Sequence, residues 1–278
     1  MIVTLAGNIF LASSKAVVAY LSGSVALFAD AANSISDVFY SIMMVWGLYV
    51  SQQPADNSHP QGHSRFEPIV GLLVTLSMTF AGFQAAKAAI ERISAGAISI
   101  DPGLPTLILL VSAVVKLLMF FYIRKLAKIL NSPTLRSASK DNLSDVATSG
   151  AAFLGAGLSS FIHPILDPIA GLLVAGWIFK NAFEALRENL GYLTGAGTTE
   201  EQCKEFVNVA RSVAGVQDVH HLMAEYVGPQ LVLDMHINVD GNLTLNESHD
   251  IVDHVIEALE SLPDVDRAYI HVEPVGWE

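Results

Sequence analysis

Six stretches of this chain, at about 2–21, 24–51, 67–94, 105–128, 133–161 and 166–190, are apolar for long enough to cross a bilayer. A membrane-spanning helix needs about 20 mostly apolar residues. A large soluble helical core would instead require a polar face on every helix, and residues 69–80 and 105–115 have almost none. Breakers separate the stretches: Ser22-Gly23, Gln53-Pro54, Pro102-Gly103, Ser132-Pro133 and His163-Pro164. The first stretch is not a cleaved signal peptide, because it lacks a basic start and Lys15 interrupts it. The expectation is an α-helical membrane protein with six transmembrane helices.

The charge changes abruptly near the end of the sixth span. Residues 1–197 carry 12 Lys/Arg against 11 Asp/Glu, whereas residues 198–278 carry 3 against 16, a net −13. The chain therefore divides into an apolar, nearly neutral domain, 1–197, and a small, strongly acidic soluble domain, 198–278. An acidic tail repels nucleic acid and attracts cations. The lone Cys203 excludes an internal disulfide and any multi-cysteine metal cluster. Basic residues crowd the 4–5 connection (Arg124, Lys125, Lys128, Arg136, Lys140), with Arg65 in the 2–3 loop and Arg187 at the end of span six. The positive-inside rule then puts those loops and both termini in the cytoplasm, which six spans allow.

Charged side chains near mid-bilayer cost about 3 kcal/mol each on insertion scales. Span two nonetheless carries Asp30, Asn33 and Asp37, and span five carries Asp141 and Asp145. Asn33/Asp37 and Asp141/Asp145 are i, i+4 pairs, so each pair projects from one helix face. The two spans run in opposite directions, and a rise of about 1.5 Å per residue brings the pairs to similar depth. Each pair also follows a span containing a lysine, Lys15 or Lys116, as an inverted repeat of three spans would. Three carboxylates and an amide oxygen form a hard site that suits Mn²⁺ or Mg²⁺ better than Zn²⁺, with Fe²⁺ between. The structural alternative is Asp–Lys pairing within the bundle through Lys15 or Lys116. Asp30 stands one turn before Asn33 as supporting packing.

Further residues complete the pattern. The 2–3 loop runs from Pro54 through Asp56, His59, His63 and Arg65 to Glu67, span six contains Asp167-Pro168, and the tail closes with Tyr269-Ile-His271-Val-Glu273-Pro274. Together with Asn33-xxx-Asp37 and Asp141-xxx-Asp145, these motifs resemble the cation diffusion facilitator family over nearly the whole chain. The resemblance implies a homodimeric exporter of divalent metal ions, driven by protons as counter-ion, with a ferredoxin-like cytoplasmic domain. Its transport site falls at Asn33, Asp37, Asp141 and Asp145. Zinc members usually have histidine in at least one leading position. Asn33 and Asp141 stand there instead, a pattern similar to the manganese branch, so Mn²⁺ is expected ahead of Fe²⁺ or Zn²⁺.

The resemblance also marks a loop site at Asp56, His59 and His63. One carboxylate and two imidazoles are a reasonable set for a transition metal. Glu67 and Arg65 read as ion-pairing residues at the membrane face. The tail reads as helix 200–214, strands 216–226 and 230–239, helix 245–262 and strand 268–272, an αββαβ unit. Thr244 is a suitable N-cap with Glu247 at N3. Among the tail histidines, His236, His249 and His271, with Glu273, match the family's cytoplasmic metal positions. Gln217 replaces a histidine of zinc members in a supporting position, and His220, His221 and His254 read as surface residues.

The expected protein is thus a divalent metal exporter of the bacterial inner (cell) membrane, working by alternating access, with no prosthetic cofactor. Neither a His-Glu-x-x-His run nor a Gly-x-Ser-x-Gly turn is present to suggest an enzyme. The competing reading is a membrane-anchored metal sensor that does not transport.

Overall fold

The computed structural model describes residues 2–22, 25–95, 104–161 and 165–276. The breakers Gly23, Pro102-Gly103 and His163-Pro164 lie outside them, as do the side chains of Asp30, Asn33 and Asp167. Six long helices come first: α1 (Ile2–Ser22), α2 (Val25–Ser51), α3 (Phe66–Ser94), α4 (Leu104–Ile129), α5 (Pro133–Phe161) and α6 (Leu166–Thr194). These follow the six apolar stretches within a few residues. The chain forms two compact units, Met1–Asn189 and Leu190–Glu278.

The first unit is inside-out relative to a soluble protein. Phe39, Trp46, Phe80, Phe83, Leu118, Phe121, Leu173 and Phe183 point outward, while Asn8, Lys15, Asp37, Lys116, Asn142 and Asn189 are buried. In water that arrangement would expose a large apolar surface, whereas in lipid it is the favourable one, with polar groups facing the bundle interior. α3, with 29 residues, is long and apolar enough to cross a membrane, spanning about 43 Å at 1.5 Å per residue.

Close helix approaches rest on small residues. A Cβ added at Gly47 would fall 2.1 Å from Val70 Cγ2, locking α2 to α3. A Cβ at Gly71 would fall 2.0 Å from Asn189 Oδ1, where α3 meets α6. Asn189 is itself held by bonds to Ser137 Oγ at 3.0 Å and the Ala185 carbonyl at 2.8 Å. At the start of α3, Glu67 is buried and accepts a hydrogen bond from Ser132, while Thr134 Oγ1 donates to its carbonyl at 2.6 Å. Glu67, which the sequence suggested as an ion-pairing residue, thus ties α3 to the start of α5 through hydroxyls.

The second unit contains α7 (Glu200–Arg211), β1 (Asp218–Val227), β2 (Gln230–Val239), α8 (Leu245–Glu260) and β3 (Val265–Pro274). The order is the expected αββαβ. The sheet runs β1-β2-β3, with β1 antiparallel and β3 parallel to the central β2. Strand alternation sends Leu231, Leu233, Met235 and Ile237 of β2 into a core with Phe206, Val255 and Leu259. The opposite face of β2 carries Asp234, His236 and Asn238. Thr244 caps α8 in a reciprocal capping box with Glu247.

Candidate metal centres

α2 and α5 bring one oxygen each of Asp37, Asp141 and Asp145 within 4.8 Å of one another inside the first unit. The i, i+4 spacing on α5 puts two carboxylates on the face that meets Asp37. An octahedral ion with oxygens at about 2.1 Å holds neighbouring oxygens about 3 Å apart and opposite ones about 4.2 Å apart. The three oxygens are therefore close enough for side-chain adjustment to let them share one ion. Asp37 is positioned from behind: Ser41 Oγ donates to its carbonyl at 2.8 Å, and Asn8 Nδ2 donates to Ser41 Oγ at 2.7 Å. The fourth expected ligand, Asn33, has its side chain outside the described residues.

Lys116 of α4 enters the same cluster. Its Nζ lies 2.8 Å from Asp37 Oδ2 and 2.6 Å from Asp145 Oδ2. The sequence offered Asp–Lys pairing and metal ligation as alternatives, and here both arrangements draw on the same carboxylates.

The 2–3 loop forms a second cluster of Asp56, His59 and His63, again with ligand atoms within 4.8 Å. Asp56 Oδ1 accepts from Ser58 Oγ at 2.7 Å, Ser58 N at 2.8 Å and His59 N at 2.7 Å. These bonds, the Ser58 hydroxyl foremost, lower the Asp56 carboxyl to about 2. His63 Nε2 is 3.6 Å from Asp56 Oδ2, and its Nδ1 lies 3.1 Å from the Pro54 carbonyl. That contact fixes the ring with Nε2 turned toward the carboxylate. Phe66 packs against both imidazoles.

A third cluster sits on the open face of the sheet. β2 pairs His236 with His271 and Asn238 with Glu273 across β3. On β1, the register shifts between Val219 and His221, which oppose Ile237 and His236, so His220 is the extra residue of a β-bulge. The bulge turns His220 Nε2 to 3.1 Å from Glu273 Oε2. Glu273 Oε1 lies 3.3 Å from His271 Nε2 and 3.7 Å from His236 Nδ1. One carboxylate thus meets three imidazoles, and ligand atoms of His220, His236 and Glu273 fall within 4.8 Å of one another.

The family follows from comparison with known proteins. Residues 1–194 match the cation efflux transmembrane domain, and residues 198–275 match the cation efflux protein cytoplasmic domain. This chain belongs to the cation efflux family. Proteins similar to it include an uncharacterised transporter of Methanocaldococcus jannaschii, 36% identical over 99% of this chain and 97% of the relative. The manganese efflux system protein MneS of Bacillus subtilis is 28% identical over 99% of this chain and 94% of its own length. The magnetosome protein MamM of Paramagnetospirillum magneticum is 33% identical over 92% of this chain and 81% of its own length. As a cation efflux protein, the chain is an integral membrane transporter of divalent metal cations with a cytoplasmic dimer domain.

Within this cation efflux protein, the structure gathers most residues singled out in the sequence, with two differences. His249 stands apart from the sheet cluster, on the exposed face of α8, where its Nδ1 pairs with Asp253 at 3.1 Å. His220, read from the sequence as a surface residue, takes a place beside Glu273 instead. Gln217 bonds through its backbone to the Asn238 carbonyl at 2.8 Å, and its side chain is exposed ahead of β1. The available signal for His220 was a break in alternation: after the buried Val219, two consecutive histidines cannot both keep the strand's period.

Proposed function

We propose that this cation efflux protein is a proton-coupled antiporter that exports Mn²⁺ from the cytoplasm as a homodimer, by alternating access. The observation that carries the reading is the convergence of Asp37 with Asp141 and Asp145 from two facing helices inside a bundle with an apolar exterior. An all-oxygen set favours a hard ion, and the naming of MneS as a manganese efflux protein agrees with that preference. Asn33 is the proposed fourth ligand. Fe²⁺ and Zn²⁺ are the competing substrates.

The cycle follows from carboxylate chemistry. Coordination requires the ionised form, so a metal entering from the cytoplasm displaces protons. The bundle then opens outward, external protons compete for the same oxygens, and the ion leaves. In the proposed cell-membrane orientation, both termini and the 2–3 loop face the cytoplasm, with the loop cluster as a first stop for incoming metal. The sheet cluster of His220, His236, His271 and Glu273 is the proposed cytoplasmic metal site.

Purified protein in proteoliposomes tests the reading. Asp145→Ala is expected to abolish metal-dependent proton flux while the dimer persists, and robust residual transport would refute the assignment. Competition among Mn²⁺, Fe²⁺, Zn²⁺ and Mg²⁺, repeated with Asn33→His, tests the selectivity.

A further inference from the structure

The ion pair inside the bundle has a geometry that a passive structural pair does not require. Lys116 is 3% exposed, and its single ammonium is shared between Asp37 and Asp145, carboxylates on two different helices. A divalent ion bound to this cluster needs those same oxygens at about 2.1 Å. An ammonium left at its present position would then face a like charge within about 4 Å in a poorly screened interior. Metal and ammonium therefore compete for one set of oxygens. Lysine suits such competition, because its compact charge rides on a flexible four-carbon stem, whereas arginine's planar fork grips carboxylates bidentately.

The surroundings give the ammonium somewhere to go. Asn8 of α1 uses its Nδ2 on Ser41 and the Asp37 carbonyl, and its Oδ1 is buried without a hydrogen-bond partner among the described residues. α1 and α4 abut one turn from Lys116, where Gly7 faces Met119 Sδ. An acceptor thus lies on the α1 side of the cluster.

We infer that Lys116 is a tethered counter-cation of the transport site: its ammonium bridges Asp37 and Asp145 and offsets one of their two charges while the site is empty, and it is displaced each time a metal ion binds. This rests on the reading of Asp37, Asp141 and Asp145 as the transport site. It sets metal affinity by competition, so the ion is held less tightly than the carboxylates alone would hold it. Together with the protons taken up at the site, it also leaves less uncompensated carboxylate charge in the membrane while the emptied carrier returns.

The test uses the full chain in nanodiscs and proteoliposomes, with His63→Ala and His236→Ala disabling the other two clusters. Mn²⁺ binding is measured by calorimetry, and net efflux is compared with Mn²⁺–Mn²⁺ exchange, which does not require return of an empty carrier. Lys116→Met is expected to bind Mn²⁺ at least about tenfold more tightly, and to retain exchange while losing net efflux. Its metal-free form should also melt lower than the parent's. Lys116→Arg, which keeps the charge, should bind Mn²⁺ more weakly. Unchanged affinity and an unchanged ratio of exchange to net efflux in Lys116→Met would overturn the inference, as would weakened binding with both fluxes lost. If Lys116→Met does not fold, an unchanged affinity in Lys116→Arg overturns it and a weakened one supports it. Asp145→Asn separates the two readings: if it leaves binding and flux intact, the site assignment itself has failed, and if it removes them while the Lys116 variants behave as the parent, the counter-cation alone has failed.

Discussion

Asp37→Asn is the most informative single change, because it keeps the shape of the side chain while removing one charge from the centre of the bundle. The 2.8 Å contact between Asp37 and Lys116 corresponds to about 6 kcal/mol of gross attraction at an effective dielectric of about 20. After desolvation, breaking such a buried interaction costs about 3–5 kcal/mol. A divalent ion on the same carboxylate loses no less, so at about 3 kcal/mol Mn²⁺ affinity falls about 150-fold. Metal-free stability should change less, since Lys116 keeps Asp145 at 2.6 Å. The contrast is measurable by thermal unfolding of the purified protein carrying His63→Ala and His236→Ala. At Mn²⁺ equal to about 100 times the parent Kd, binding stabilises the parent by about 2.7 kcal/mol and the variant by about 0.3 kcal/mol. An Asp37→Asn protein that keeps the parent's metal-induced rise in Tm would refute the argument.

Other expectations concern parts away from that charge cluster. The lowered carboxyl of Asp56 means that the Ser58–His59 turn contributes its full stability above pH ~4 and loses it as the pH falls toward 2. Amide exchange at Ser58 and His59 should stay slow down to pH 4, and Asp56→Asn should accelerate it throughout that range; protection that disappears between pH 7 and 5 would contradict this. Gly71→Ala drives a Cβ into Asn189 and should cost about 1–3 kcal/mol as overpacking; an unaltered Tm would show that α3 and α6 are less closely apposed. Thr244→Ala removes the N-cap of α8 and should lower stability by about 1 kcal/mol, seen as earlier loss of helical signal on urea unfolding.

Helix positions were legible in the sequence because length and hydropathy alone decide them in a membrane, and the i, i+4 spacing of Asp141 and Asp145 fixed their common face before any packing was known. The cap of α8 was legible for a similar local reason, the Thr244–Glu247 spacing. Lys116 was visible only as a lysine able to pair with the carboxylates; that it bridges Asp37 and Asp145 depends on how α4 rotates against α2 and α5. His220 was hidden more deeply. Its position comes from a register shift between strands, and strand pairing is set by the core contacts of Leu231, Leu233 and Met235 more than by the histidines. His249 failed to join the sheet cluster because α8 turns it away from the strands and toward Asp253.

The bulge at His220 makes one of the three candidate metal clusters a matter of chain length. Removing a single residue between Val219 and His221 would restore an even ladder and leave one imidazole fewer beside Glu273, with every remaining side chain unaltered. An insertion or deletion in β1 alone therefore adds or removes a side chain at this face, so counting the residues of β1 is a better guide to it than comparing which amino acids occupy it.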